Sequence, residues 1–366
     1  TRQEKELQYP IYARKKASTR SNLESVQEEI ILNLNELAIE DGYLSVTETR
    51  PNLEHTHLAY LENRDGTDLY TAYIKDLITG ELLSDKIDNV YIFSSLEWSN
   101  CGQYIFYITA NDLQRPNQLW RHKIGTDSSE DTLLYEETDV TFTLYIAKSQ
   151  SNEFIIVYSN STMTTEVRII NANEPLNEIQ LFAERQTGII YDIEHWQNDF
   201  IILTNENALN FTLLRCPTND FNTRTQVVDY DEKRYLQQIY PFANKLLIEG
   251  REDGLTQVWV YDGDKFERLQ WDEPIYTLSV VSGQSYNTDE VLNVDEVRVM
   301  EDANTVRPVV RENTSTDISV IWGEQKELKV ISGSESAFTV ELLSMDGRQV
   351  TCLRGKGCLS LPMEDV

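Results

Sequence analysis

The sequence predicts an all-β protein: a β-propeller of the seven-bladed type, followed by a short β-rich C-terminal segment. Three observations predict it. Two collinear series of apolar runs recur at a nearly constant interval, their composition is β-branched and aromatic, and turn residues separate them. The first series is His57-Leu58-Ala59-Tyr60, Tyr104-Ile105-Phe106-Tyr107, Phe154-Ile155-Ile156-Val157, Phe200-Ile201-Ile202-Leu203 and Lys245-Leu246-Leu247-Ile248, with starts 47, 50, 46 and 45 residues apart. The second is Thr71-Ala72-Tyr73-Ile74, Leu119-Trp120-Arg121-His122, Val167-Arg168-Ile169-Ile170, Thr212-Leu213-Leu214-Arg215 and Val258-Trp259-Val260-Tyr261, spaced 48, 48, 45 and 46.

Each element has its local reason. Many of the runs alternate apolar with polar residues, as a strand with one buried face does. Asp65-Gly66, Thr79-Gly80, Asn100-Cys101-Gly102, Asp253-Gly254 and Asp262-Gly263 supply residues that tolerate positive φ, so the chain reverses there. The helical candidate, around Asn35-Glu36-Leu37-Ala38, is only about a turn long. A four-stranded unit recurring about every 45 residues is the mark of a propeller blade. Leucine-rich and helical repeats need patterns that are absent, and a β-sandwich with evenly spaced strands is the competing architecture. Part of one blade is expected around Tyr9 to Ala38, five fuller units run to about Gln270, and a further unit opens at Trp271-Asp272-Glu273-Pro274-Ile275-Tyr276. The sum is about seven, within the range propellers adopt.

Composition narrows the function. The 366 residues hold 61 Asp plus Glu against 32 Lys plus Arg, a formal charge of -29. Such a surface repels phosphate backbones, so no nucleic-acid partner is expected, and it attracts cationic ligands. No run approaches the roughly 18 apolar residues of a membrane span, so no membrane partner is expected either. The chain opens on Thr1 without a charged-then-apolar leader and reads as a fragment or processed piece. Four cysteines do not make a disulfide scaffold; Cys101 and Cys216 lie in strand-like surroundings, and Cys352 and Cys358 are close enough in sequence to pair. A cytoplasmic location is the default.

Several stretches then resemble a known family. Gln8-Tyr9-Pro10-Ile11-Tyr12-Ala13-Arg14 followed by Glu29-Ile30-Ile31-Leu32-Asn33-Leu34-Asn35-Glu36-Leu37-Ala38 resembles the first blade of the oligopeptidase B branch of the prolyl oligopeptidase family of serine peptidases. Gln118-Leu119-Trp120-Arg121-His122-Lys123-Ile124-Gly125-Thr126, then Leu134-Tyr135-Glu136-Glu137, Thr164-Thr165-Glu166-Val167-Arg168, Gly254-Leu255-Thr256 and Trp271-Asp272-Glu273-Pro274-Ile275-Tyr276 follow in the family's order. The resemblance covers about residues 1-294. It implies a propeller that caps an α/β-hydrolase domain, admits short peptides and excludes folded proteins. It also implies short basic peptides as substrates, which the acidic balance suits electrostatically.

The family's chemistry needs a serine in Gly-x-Ser-x-Gly, then Asp, then His. The Gly-x-Ser present, Gly283-Gln284-Ser285, continues Tyr286-Asn287 and lacks the second glycine; Gly333-Ser334-Glu335-Ser336 has the wrong spacing. The four histidines, His55, His57, His122 and His195, all lie within the repeats. No catalytic, cofactor-binding or metal-binding residue is therefore assigned, and whether the chain is part of an enzyme rests on the resemblance. His55-x-His57 would share a strand face but has no third ligand nearby, and a polar surface pair is the preferred reading. A structural role in a strand is expected for His122. Asp65, Asp68 and Asp76 do not form a calcium loop and are expected to cap turns. Isolated Gly263 and Gly283 make no phosphate cradle. Trp98, Trp120, Trp196, Trp259 and Trp271 are expected to pack between blades.

From about Leu292 the family pattern stops. Residues 295-366 read as a divergent β-rich segment: an irregular region through Thr316, then strands at Ile318–Trp322, Leu328–Ile331 and Phe338–Leu343, and a turn at Met345–Val350 leading into another strand. Leu328 to Pro362 resembles the small β-sandwich sorting domains at the C-termini of secreted Bacteroidetes proteins, which would imply a periplasmic or secreted location; a degenerate last blade is the rival. The expected function is the substrate-gating propeller portion of an oligopeptidase B-like serine peptidase, without its hydrolase domain in this chain. The alternative is a non-catalytic propeller scaffold for peptide or protein binding.

Overall fold

The structure, a computed structural model, describes residues 1–17, 22–23, 25–39, 42–270, 280 and 285–287, together with the backbone of six strands between 307 and 362. Two units are distinguished: Thr1–Gln270 with Ser279–Val294, and Trp271–Leu278 with Asp295–Val366.

The first unit opens with the antiparallel pair β1 (Ile11–Arg14) and β2 (Glu29–Asn33), followed by the one-turn helix α1 (Leu34–Leu37), capped by the Asn33 side chain. Five four-stranded groups follow. Blade one holds β3 (Ser45–Pro51), β4 (His57–Asn63), β5 (Leu69–Asp76) and β6 (Leu82–Tyr91). Blade two holds β7 (Leu96–Trp98), β8 (Tyr104–Ala110), β9 (Pro116–Lys123) and β10 (Thr132–Glu136). Blade three holds β11 (Thr143–Lys148), β12 (Phe154–Asn160), β13 (Thr165–Asn171) and β14 (Gln180–Leu181). Blade four holds β15 (Tyr191–Trp196), β16 (Asp199–Thr204), β17 (Thr212–Pro217) and β18 (Thr225–Val228). Blade five holds β19 (Arg234–Phe242), β20 (Lys245–Glu252), β21 (Leu255–Tyr261) and β22 (Phe266–Arg268). Within each blade consecutive strands pair antiparallel. Blades one and two are also joined, by a bridge between Val90 of β6 and Thr109 of β8, into one eight-stranded sheet.

Both repeat series fall where the periodicity places them. The first supplies the second strand of every blade and the second supplies the third. Second strands are covered on both faces, which is why they read as unbroken apolar runs. The five turn glycines named from sequence all take positive φ, from 67° at Gly102 to 103° at Gly263. The further unit expected from Trp271 lies outside the described residues.

The apolar core is divided into slabs, each shared by neighbours. Leu34, Leu44, Leu58 and Tyr60 pack the N-terminal hairpin against blade one. Ile74, Ile87, Trp98 and Ile105 join blades one and two, and Phe106, Leu119, Ile146 and Ile155 join two and three. Phe182, Ile193, Phe200 and Cys216 join three and four, and Trp196, Leu213, Ile248 and Trp259 join four and five. Indoles add polar ties at the joints. Trp98 Nε1 donates to Arg50 O across 2.8 Å, and Trp196 Nε1 to Phe242 O across 2.7 Å.

The second unit contains β23 (Arg307–Val310), β24 (Ile318–Gly323), β25 (Glu327–Ser332), β26 (Ala337–Leu343), β27 (Gln349–Lys356) and β28 (Cys358–Pro362). They form two three-stranded antiparallel sheets, ordered β23-β26-β27 and β24-β25-β28. β23 corrects the expectation of irregular structure through Thr316: Arg307–Val310 pairs in register with Leu343–Val340. The predicted turn at Met345 lies outside the described residues.

Candidate functional site

In an antiparallel blade, the hairpin between second and third strands and the link to the next blade lie on the same side. That side is here termed the upper face. The first strands lie innermost, with β3 against β7, β7 against β11 and β15 against β19. Side chains on these strands line the axis of the blades.

Blade one contributes Glu48 and Arg50. A bulge between Thr47 and Arg50 places Glu48 at φ 49°, a local irregularity of the kind that re-aims a side chain. Its carboxylate accepts the Ser94 N–H at 2.6 Å and pairs with Arg50 at 2.9 Å. Blade two contributes Glu97, only 7% exposed, 4.0 Å from Arg50. Burial raises the Glu97 carboxyl above its ordinary range, against the pull of Arg50 and Lys148. Blade three contributes Lys148, whose ammonium donates to Trp98 O at 2.9 Å and is pulled down by burial. Tyr145 stacks on Tyr158 with ring centres 4.5 Å apart, and the Tyr158 hydroxyl donates to Asp192 of blade four.

Asp192 and Glu194 differ from the others. They occupy alternate positions of β15, half-buried, while Ile193 and His195 between and beside them point into the slab. Glu194 accepts the Gln150 N–H at 3.1 Å. Burial pushes Glu194 up to about 8, with Asp192 adding to the shift; burial raises Asp192 as well. No cation contributes to either titration, and neither carboxylate is in an ion pair among the described residues. The axial surface is therefore balanced on blades one to three and carries uncompensated carboxyl groups on blade four.

The upper face carries exposed apolar side chains on the links and hairpins of blades one to four: Tyr43, Phe93, Leu113, Val140, Met163 and Leu209, the last 85% exposed. On the opposite face the exposed apolar residues include Leu53, Ile78, Leu82 and Leu176. Beside Val140 lies a cavity of about 350 Å³ lined by Asn111, Arg115, Asn117, Glu136, Asp139 and Phe142. A clasp closes its inner side. Arg185, in the link after β14, stacks on Phe142 at 3.6 Å and reaches Glu137 at 2.6 Å and Glu166 at 3.3 Å. Glu137 also accepts from Ser159 at 2.5 Å and Tyr135 at 3.0 Å.

The residues weighed from sequence find these places. His122 is fully buried between two aspartates, the structural strand role expected of it. His55 is not on a strand: it lies in the β3–β4 turn at φ 56°, so it does not share a strand face with His57, whose Nδ1 meets Thr56 Oγ1 at 3.0 Å. Asp65 accepts from Thr67, and Asp76 from the N–H groups of Ile78 and Thr79, so both cap turns. Cys101 is exposed in the β7–β8 turn rather than in a strand; Cys216 is buried in β17, where burial pushes its thiol up to about 11. Trp120 is half-buried and bonds Thr109 of its own blade; Trp271 lies outside the described residues. Ser285 is exposed, and its neighbour Tyr286 is tied to Ala243 and Gln197. The side chains of Cys352 and Cys358 lie outside the described residues.

Sequence reading missed the axial carboxylates because they come from separate strands. The available signal was a charge inside a short apolar strand, as in Leu96-Glu97-Trp98 and Tyr191-Asp192-Ile193-Glu194.

A family model described as prolyl oligopeptidase, N-terminal beta-propeller domain, matches residues 1–295. Protease 2 of Moraxella lacunata is 59% identical over 292 residues, covering 80% of this chain and 42% of that protein. Dipeptidyl aminopeptidase BI of Pseudoxanthomonas mexicana is 27% identical over 297 residues, 77% of this chain and 40% of that protein. The solved structure of oligopeptidase B from Leishmania major superposes with a TM-score of 0.70 at 24% identity, over 89% of this chain and 50% of the other. The chain thus spans about two-fifths of the length of these curated relatives. With five consecutive antiparallel blades and a match running from residue 1 to residue 295, the chain belongs to the prolyl oligopeptidase family, and residues 1–295 correspond to its N-terminal β-propeller domain.

Proposed function

We propose that this propeller gates substrate for an oligopeptidase B-like serine peptidase, and that the peptides it admits are short and basic. The observation that carries the reading is the 59% identity to Protease 2 across the propeller. The uncompensated Asp192 and Glu194 support the basic preference, because an arginine or lysine side chain on the axis supplies the cation these carboxyls lack. The exposed apolar residues of the upper face support that side as the one an α/β-hydrolase domain covers.

Binding of a cationic peptide requires Glu194 ionised. Its carboxyl titrates near 8, so affinity rises as pH increases through that range. Titration calorimetry with an arginine-rich pentapeptide and its glutamate counterpart tests this. The expected result is binding of the basic peptide only, tightening with pH and weakened about tenfold or more by D192N/E194Q. Equal binding of both peptides, or indifference to the double variant, refutes the basic preference. Hydrolysis of a fluorogenic Arg-Arg peptide by the purified chain, with serine-directed labelling, is expected to be nil; labelled turnover would locate a nucleophile the sequence does not reveal.

The rival reading, a free-standing peptide-binding scaffold, shares the axial surface and differs in needing no hydrolase domain. We read residues 295–366 as a small β-sandwich, because β23 beside β26 and β25 beside β28 depart from a blade's consecutive meander. That reading favours a periplasmic or secreted location, whereas unpaired Cys101 and Cys216 favour the cytoplasm; cell fractionation decides between them.

A further inference from the structure

We propose that His122 is held as a doubly protonated imidazolium between Asp85 and Asp131, and that it forms a pH-dependent clasp locking blade one to blade two. Its Nε2 lies 2.9 Å from Asp85 Oδ1 and its Nδ1 lies 2.7 Å from Asp131 Oδ1. A neutral imidazole has one donor and one acceptor nitrogen. With a carboxylate oxygen at each nitrogen, a neutral ring would turn a lone pair toward a negative charge. The doubly protonated ring satisfies both contacts.

The three side chains are almost wholly buried, 0% exposed for His122, 1% for Asp85 and 2% for Asp131. Water does not screen or replace the contacts there. They also come from different parts of the joint. Asp85 belongs to β6 of blade one, His122 to β9 of blade two, and Asp131 to the turn that opens β10. Around the ring, Tyr107 of β8 donates to Asp131 Oδ2 at 2.8 Å, and the Gly125 N–H donates to Asp85 Oδ1 at 2.5 Å. Asp127, on the exposed side of the same turn, is held low first by Ser129 and also by the charge of His122. The largest influences on His122 are its burial and the two aspartates. Asp85 Oδ2 is buried without a partner, so if His122 loses its proton the Gly125 N–H is the bond left to this carboxylate.

Burial alone would lower the imidazole's affinity for its proton, but the bonds to Asp131 and Asp85 outweigh burial and the net shift is upward. A folded value above the unfolded one makes the clasp's contribution complete below the ordinary histidine range. It is lost as pH rises through the raised folded value. The predicted consequence is a joint that loosens in alkali where blades three to five do not.

The test is nitrogen-15 NMR of the full chain labelled at histidine, in which there are only four imidazoles to assign, with hydrogen exchange by mass spectrometry alongside. Expected are two protonated His122 nitrogens at neutral pH and a midpoint above the ordinary histidine value. D85N keeps an acceptor for Nε2 but removes a charge, and should lower that midpoint. Above the midpoint, peptides covering β6 and β9 should lose protection beyond the intrinsic pH effect while those covering β12 and β13 keep theirs. H122Q should abolish this difference. One unprotonated His122 nitrogen at neutral pH overturns the proposal, as does an unmoved midpoint in D85N or uniform loosening of all blades. Should H122Q not fold, the wild-type spectrum and D85N decide.

Discussion

Arg185 sets the problem at the scale of one residue: its guanidinium is the cation beside Glu137, 5% exposed, and shares Glu166, 6% exposed, with Arg168. Removing it leaves Glu137 a buried charge without a cation. Breaking such a pair costs about 3–5 kcal/mol, and R185A is expected near the lower end because Arg185 itself is partly exposed. Urea unfolding checks the magnitude; a cost under about 0.5 kcal/mol, the range of plain surface changes, would show that the clasp is ornamental. Glu137 adds a pH signature. Burial would raise its carboxyl, but bonds from Ser159, Asp139 N–H, Arg185 and Tyr135 hold it below the ordinary value. A depressed folded value stabilises above the ordinary range and fades as pH falls through the folded value. The gap in melting temperature between wild type and E137Q should therefore shrink from about pH 6 to about pH 3.

Among the elements, blade five shows how a strand accommodates an irregular partner. β19 has a register shift between Leu236 and Gln238, opposite Gly250 of β20. A Cβ at Gly250 would stand 2.2 Å from Tyr235 O and 3.1 Å from the Trp259 ring. Backbone must move to admit it, so G250A should cost about 1–3 kcal/mol and shift the Trp259 emission; an unchanged unfolding midpoint would mean that the bulge yields freely. The same inequality among strands decides what was legible in sequence. Second and third strands, such as Phe200–Leu203 and Val258–Tyr261, are sandwiched between neighbours and betray themselves by apolar runs. First strands such as Ser45-Val46-Thr47-Glu48-Thr49-Arg50-Pro51 face the axis with polar groups, and outermost β14 is two residues long. First strands carry at most a short alternation with charges among the apolar residues, and β14 is too short for any. The axial site is built almost wholly from first strands, so the architecture was readable and the site was not.

For the molecule as a whole, the excess of 61 acidic over 32 basic residues acts against compactness. Added salt screens that repulsion, so the melting temperature should rise from low to moderate ionic strength; a fall would mean that ion pairs such as Arg185–Glu137 outweigh it. Because four of the five apolar slabs described lie between two blades, a blade is a unit of covalent sequence and not a unit of stability. A duplicated blade would present two apolar faces to neighbours shaped for something else, and a deleted one would bring two mismatched faces together. A longer hairpin on either rim disturbs no slab at all. Descendants of such a propeller are expected to diverge through the lengths of their rim loops, keeping the blade count as a frozen inheritance.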